Sequence, residues 1–302
     1  MPDRLRFAPS PNGPLHLGHA YSALFTAEAA NQLGGAFLLR IEDIDVGRCR
    51  PEYEQAIYDD LAWLGLAWER PVRRQSEHFS DYQAALNKLR DQDLVYPCFA
   101  TRKEITDAIA SRTTDPKAWP RDPDGAPLYP GLYKHISPGE RNRLMWEGRS
   151  FAWRLDMEKA ASRALEVNKG PISFLEEGEG PETLAGPRPG PHQGRLSIHP
   201  ELFGDVIIAR KDVPTSYHLA VTVDDALQNI TCITRGQDLF PATYIHRLLQ
   251  ILLDLPEPRY RHHRLICDDT GRRLSKSDLD KGLHELRAGG ASPADIRRMV
   301  GL

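Results

Sequence analysis

The stretch Arg6-Phe7-Ala8-Pro9-Ser10-Pro11-Asn12-Gly13-Pro14-Leu15-His16-Leu17-Gly18-His19 decides the fold. Leu5 and Phe7 mark a short apolar strand, which the prolines and Gly13 break. An apolar helix is expected next, from about His16 to Leu33, stopped by Gly34-Gly35. A strand that turns through glycine into a helix N-terminus offers backbone N–H groups and the positive dipole end to an anion, usually a phosphate. His16 and His19 stand at that entrance as donors to phosphate oxygens. Far along the chain, Arg272-Arg273-Leu274-Ser275-Lys276-Ser277 places a cation on a short polar loop, suited to a triphosphate.

Outward from the first stretch, the pattern alternates strand and helix. A strand over Ala36–Ile41 precedes a helix opening at Pro51, with Ile57, Leu61 and Leu64 on one face. Ser80 is expected to cap the next helix, which carries Tyr82, Ala85, Leu86 and Leu89. Such alternation argues an α/β fold with a parallel sheet and crossover helices. From Cys98 to about Pro200 proline, glycine and charge become dense (Asp115-Pro116, Arg121-Asp122-Pro123-Asp124-Gly125), which reads as an inserted, irregular α+β subdomain. After Gly204 the sheet pattern resumes, with strands expected at Asp205–Arg210, Tyr217–Val223 and Ile230–Thr234. A helix follows from Pro241 to about Leu253, showing Ile245, Leu248, Leu249 and Leu252, and a last helix is capped by Ser292-Pro293. The expected division is a first catalytic half at 1–97, the insertion at 98–204, a second catalytic half at 205–255, and the Lys276 loop with a helical stub at 256–302.

The 302 residues allow one large domain with an insertion or two modest domains. A formal charge of −3 means that contact with nucleic acid must come from a local patch. No apolar run approaches the roughly 18 residues of a membrane span, and no N-terminal secretory segment is visible. Cys49, Cys98, Cys232 and Cys267 are scattered, which suits a reducing compartment, so a cytoplasmic location is expected.

His16-Leu17-Gly18-His19 resembles the HIGH motif of class I aminoacyl-tRNA synthetases, and Arg273-Leu274-Ser275-Lys276-Ser277 resembles their KMSKS loop. Both occur in the right order with a long α/β stretch between. Arg6–Pro11, Gly34-Gly35-Ala36-Phe37, Leu39–Asp45 and Trp63-Leu64-Gly65-Leu66 are similar to glutamyl-tRNA synthetases. The resemblance implies a Rossmann-like catalytic domain that activates an amino acid: its α-carboxylate attacks the α-phosphorus of ATP, and pyrophosphate leaves. Positioning and charge neutralisation carry such a step, with no protein nucleophile. His16, Gly18, His19, Ser275 and Lys276 are then the ATP-binding set, with His16, His19 and Lys276 catalytic. Mg²⁺ is expected on the triphosphate, held mainly by phosphates and water.

Ligands of an open parallel sheet bind beyond the carboxyl ends of its strands. A glutamate pocket there needs one anion for the ammonium group and arginine for the carboxylates. Glu42 suits the ammonium, and Arg6 or Arg235 the side-chain carboxylate. The resemblance assigns to this pocket Arg6-Phe7-Ala8-Pro9-Ser10, Glu42, Tyr217 and Arg235.

Glutamyl-tRNA synthetases continue far past their KMSKS loop into anticodon-binding domains, whereas this chain ends some 25 residues after Ser277. That shortness, with Gln75-Ser76-Glu77-His78 and Lys211–Leu219, resembles the glutamyl-Q tRNA(Asp) synthetase family. The resemblance implies tRNA-independent glutamate activation, then transfer to queuosine in the anticodon of tRNA(Asp). A shortened enzyme that charges a tRNA 3′ end and a lapsed paralogue serving as a binding module are the alternatives; no obligate protein partner is evident. Relatives often hold zinc in the insertion through C-x-C and Y-x-x-x-C. Here Ala100 and Tyr133 replace two of the cysteines, leaving Cys98 and Tyr129, so zinc is not expected, and His135 is the one substitute. Trp119, Trp146 and Trp153 are expected in the insertion's core. The basic run from Arg259 to Lys276 (with Arg261, His262, His263, Arg264, Arg272 and Arg273) reads equally as a phosphate-tracking surface or as a solvated face with Asp268 and Asp269.

Overall fold

The computed structural model describes residues 2–180, 192–266 and 282–302. Strand β1 (Arg4–Phe7) runs parallel to β2 (Ala36–Ile41), which pairs in turn with β3 (Glu69–Arg74). Helix α1 (Leu17–Gln32) crosses from β1 to β2, and α2 (Pro51–Trp63) from β2 to β3. Strand β2 is buried from Phe37 to Ile41, as expected of a parallel strand covered on both faces. Gly34, at φ +61°, ends α1 in the left-handed conformation that glycine adopts without strain. In α2, Pro51 occupies the first turn, Glu52 and Glu54 complement the dipole, and Ile57 and Leu61 turn inward.

Helix α3 (Phe79–Asp91) buries Tyr82, Ala85, Leu86 and Leu89. It opens two residues earlier than expected. His78 is the N-cap residue and gives no side-chain bond, so Ser80 lies inside the first turn and caps nothing. The 3₁₀ turn Gln75–Glu77 feeds directly into that start.

Strand β4 (Val95–Cys98) leads into the proline- and glycine-dense stretch, which contains α4 (Arg102–Arg112), α5 (Pro138–Trp146), β5 (Ala152–Leu155), α6 (Met157–Asn168), β6 (Ser173–Gly180), β7 (His192–Ser197) and, after it, β8 (Ile207–Ala209). Its helices are short and individually capped: Thr101 and Glu104 form a capping box on α4, and Ser137 and Asp156 cap α5 and α6. Strands β4, β5 and β8 form an antiparallel sheet. Strand β6 pairs antiparallel with β7 and, on its other side, parallel with β10 (Arg259–His263). Trp119 donates to Leu128 O at 2.8 Å and Trp153 packs on the main core. Trp146 departs from expectation: it is 89% exposed, because α5 turns only Leu144 inward.

The chain returns through α7 (Tyr217–Leu227), β9 (Cys232–Gly236) and α8 (Ala242–Leu252) to β10, then ends with α9 (Leu283–Ala288) and α10 (Pro293–Val300). The expected strand at Tyr217–Val223 is instead the start of α7. Continuous apolar runs do not distinguish a buried helix from a buried strand by periodicity. Here Ser216 caps the helix through Leu219 N, and every residue from Leu219 to Asp225 is buried. Strand β9 runs parallel to β10 and lies against β1, where Thr231 N donates to Arg4 O at 3.0 Å and Arg4 N to Thr231 Oγ1 at 2.9 Å. The spatial order is thus β3-β2-β1-β9-β10. It reverses at β1, where an open α/β sheet forms its ligand crevice. Leu283 and Ile296 close the core beneath α1 and α2, and Leu283 N donates to Leu15 O at 2.8 Å.

Candidate active site

The carboxyl ends of β1 and β9 open on one cavity of about 570 Å³. Arg6, Phe7, Ala8, Pro9 and Ser10 line it from β1 and the turn beyond. His16, Gly18 and His19 line it from the start of α1, and Glu42, Tyr217 and Arg235 complete the set expected from sequence. Pro9 O accepts from Glu42 N at 3.0 Å, which ties the first turn to the end of β2. The Ser76 hydroxyl and N–H both bind Asp43, fixing the next residue as well. Ser275 and Lys276 lie outside the described residues.

The histidine pair is a helix cap. His16 Nδ1 accepts from Gly18 N at 3.1 Å, and His19 Nδ1 accepts from His16 N at 3.3 Å. The rings lie 3.9 Å apart, tilted by 40°. Because each Nδ1 accepts, the proton of each neutral ring sits on Nε2 as a donor. A Cβ on Gly18 would come within 2.9 Å of His16 Cε1, so only glycine leaves the ring in its capping position.

Behind the cavity sits a carboxylate that sequence reasoning missed. Asp225 accepts from Arg6 Nε at 2.8 Å and Nη2 at 3.2 Å, and from Arg40 Nη1 at 2.7 Å. Arg40 is wholly buried and also donates to Glu42 Oε1 at 3.0 Å. Burial acts against the Arg40 charge, but Asp225, Glu42 and Asp224 outweigh it and hold the proton more tightly than usual. Burial likewise works to raise Asp225, yet Arg6 and Arg40 keep its carboxyl below the ordinary range. For Glu42 burial prevails and its pKa is raised, against the pull of Arg40 and Arg6. Asp224 anchors the same helix by accepting from Arg73, Gln75 and Tyr82. The available signal was two adjacent acids inside an otherwise apolar run.

Arg235 is the other buried guanidinium, 5% exposed. Its partners among the described residues are all uncharged acceptors: His246 Nδ1 at 2.9 Å, Thr243 Oγ1 at 2.6 Å and His262 Nε2 at 3.3 Å. Burial, then Arg235, pushes His218 down to about 4 and His246 well below its ordinary value. Burial also pushes His262 down to about 4 although Glu176 accepts from its Nδ1 at 2.5 Å. Burial raises the Tyr217 phenol, so it stays protonated as a donor. Of the three arginines that line the cavity, Arg6 is already committed to Asp225, Arg235 is surrounded by neutral groups, and the exposed Arg264 donates to Val300 O.

Residues 4–163 and 190–302 match the family model for tRNA synthetases class I (E and Q), catalytic domain. The chain belongs to this family. Its class I synthetase fold and its class as a ligase follow. It is 44% identical to the glutamyl-Q tRNA(Asp) synthetase of Rhodobacter capsulatus over 98% of this chain and 99% of that one. Identity is 36% to the glutamyl-Q tRNA(Asp) synthetase of Nocardia farcinica, over 98% and 82%. It is 34% to a glutamate–tRNA ligase of Prochlorococcus marinus, over 96% of this chain and 56% of the ligase. The crystal structure of a glutamate–tRNA synthetase from Elizabethkingia anophelis superposes with TM-score 0.72 at 27% identity, over 93% of this chain and 54% of that one.

Two further regions of the synthetase take on definite roles. At the positions weighed above for zinc, Cys98 Sγ is hydrogen-bonded to Tyr129 OH at 3.2 Å, and Ala100, Leu132 and Tyr133 pack around them. One thiol among apolar and phenolic groups does not fit a zinc ion, and His135 is exposed on the loop beyond. The described part of the basic run is largely committed inward. Arg259 pairs with Asp3 and Glu177, Arg261 with Glu177, and His262 with Glu176, while Arg264 stacks over Tyr21. Of these, Arg264 is exposed and lines the cavity. Among the described residues no helix is long and apolar enough to cross a membrane.

Proposed function

We propose that the chain activates L-glutamate with ATP, without tRNA, to glutamyl-adenylate, and then transfers the glutamyl group to queuosine in the anticodon of tRNA(Asp). One observation carries the choice of amino acid: Arg235 lines the cavity buried and charged, with only neutral partners among the described residues. A buried cation in that state is matched by an anionic side chain entering the pocket. Arg235 takes the side-chain carboxylate, and Glu42, at the end of β2, takes the ammonium.

The α-carboxylate oxygen then forms its bond to the α-phosphorus as the bond to the pyrophosphate oxygen breaks. His16 and His19 donate to phosphate oxygens through Nε2, beside the N–H groups of α1, and Lys276 neutralises charge on the departing pyrophosphate. Mg²⁺ accompanies the triphosphate and screens its oxygens. The queuosine acceptor is supported by the 44% identity that runs over 99% of the R. capsulatus glutamyl-Q tRNA(Asp) synthetase.

The test is transfer of radiolabelled glutamate, with ATP, to matched tRNA pools that contain or lack queuosine. Label confined to the queuosine pool is expected. Equal label in both pools would mean charging of the 3′ end. Absence of glutamate-dependent pyrophosphate exchange would overturn the activation step and return the chain to a binding role.

A further inference from the structure

We infer that His246 and His262 are positioning residues that make the pocket select a carboxylate over an amide, by holding Arg235 without neutralising it. The inference rests on the glutamate reading above and adds residues for which that reading has no role.

Guanidinium groups can only donate hydrogen bonds, so every atom facing Arg235 must accept. His246 accepts at Nδ1, which forces its proton to Nε2, and Nε2 lies 3.2 Å from His218 Nδ1. His262 accepts at Nε2, which forces its proton to Nδ1, and Glu176 receives that proton's hydrogen bond at 2.5 Å. Both rings are thereby fixed in the neutral tautomer that presents a lone pair to the guanidinium. Thr243 supplies the third neutral acceptor.

The same cavity shows the alternative arrangement. Arg6 sits on both oxygens of Asp225, and its charge is compensated before any ligand arrives. Nothing about arginine forbids a carboxylate partner at Arg235, and Glu176 stands only one ring away. It is held off because its two oxygens are engaged by the His262 N–H and ring and by Gly178 N. With neutral partners, Arg235 keeps a full charge in a low-dielectric pocket. A glutamate side chain then gains a charge-assisted pair, whereas a glutamine side chain brings only its carbonyl oxygen and an amide that faces donors.

The test measures pyrophosphate exchange with glutamate and with glutamine for the wild-type chain and three variants, each checked by thermal melting. His246→Gln keeps a neutral acceptor and is expected to keep the preference for glutamate. His246→Glu and Thr243→Asp put a carboxylate on Arg235. Each is expected to raise KM for glutamate by about a hundredfold, with little change for glutamine, so that the ratio of the two kcat/KM values collapses. Thr243→Asp, close in volume to the native residue, serves if His246→Glu does not fold. Folded variants that keep the wild-type ratio overturn the inference, as does a fall in kcat for both amino acids with the ratio unchanged. If the wild-type chain shows no glutamate-dependent exchange, the glutamate reading fails and the inference fails with it, a result distinct from an unchanged ratio.

Discussion

Arg6 and Arg40, on adjacent parallel strands, donate to the same oxygen, Asp225 Oδ1, at 2.8 and 2.7 Å. Two buried guanidinium groups so close together are tolerable only because that carboxylate, with Glu42 and Asp224 nearby, offsets their charge.

Asp225→Asn is therefore expected to be costly although it changes the side chain by one atom. It removes the shared anion and turns an amide toward donors. Urea unfolding should show a loss of about 3 to 5 kcal/mol. Glutamate-dependent exchange should fall more steeply than stability predicts, because Arg6 lines the cavity and Arg40 holds Glu42 there. Unchanged unfolding would mean that Asp225 does not carry this pair.

Gly18→Ala tests the histidine cap. The new Cβ would lie 2.9 Å from His16 Cε1 and displace the ring from Gly18 N. Loss of one cap should cost about 1 kcal/mol. The larger effect should fall on ATP, with KM rising about tenfold, since the His16 ring moves away from the entrance of α1. Equal ATP kinetics in the variant would separate the cap from ATP binding.

Lys276→Ala is expected to lower exchange by about two to three orders of magnitude, the range for loss of one group that stabilises developing charge. Circular dichroism and melting should match the wild type. Near-normal exchange would remove Lys276 from the reaction.

The pH dependence of stability has two opposing parts. Asp60, buried in α2 with Oδ2 lacking a hydrogen-bond partner, is pushed up to about 6 by burial, against His284 and Arg287. Its folded pKa lies above its ordinary 3.8, so it weakens the fold above about pH 6, and that penalty fades as pH falls toward 3.8. Asp60→Asn should raise the melting temperature by several degrees at pH 8 and make little difference near pH 4. His218 and His262 run the other way. Both are pushed down to about 4, so the unfolded chain takes up their protons first and stability drops as pH falls from about 6.5 to 4. Melting scans of both chains across that window should show the wild type losing stability on acidification, with the variant falling more steeply because it lacks the Asp60 relief.

Much of the architecture was legible because its signals are local. The glycine stop at Gly34, the proline start at Pro51 and the Ser292 cap each act within a turn of helix, and each stands where the pattern put it. Tyr217–Val223 was misread as a strand because an apolar run buried on every side has no periodicity to read. Trp146 was misplaced because size and apolarity do not say which way a short helix faces.

By itself the sequence determined the glycine stop after α1, the proline start of α2 and the Ser292 cap of α10. Those depend on neighbours a few residues apart. Only the tertiary structure decided which arginine is available to a substrate. Arg6 and Arg235 look alike in the chain, but a carboxylate 219 residues away claims the first, while the second is left among His246, His262 and Thr243. Charge compensation depends on which side chains converge in space, and no spacing along the chain encodes it.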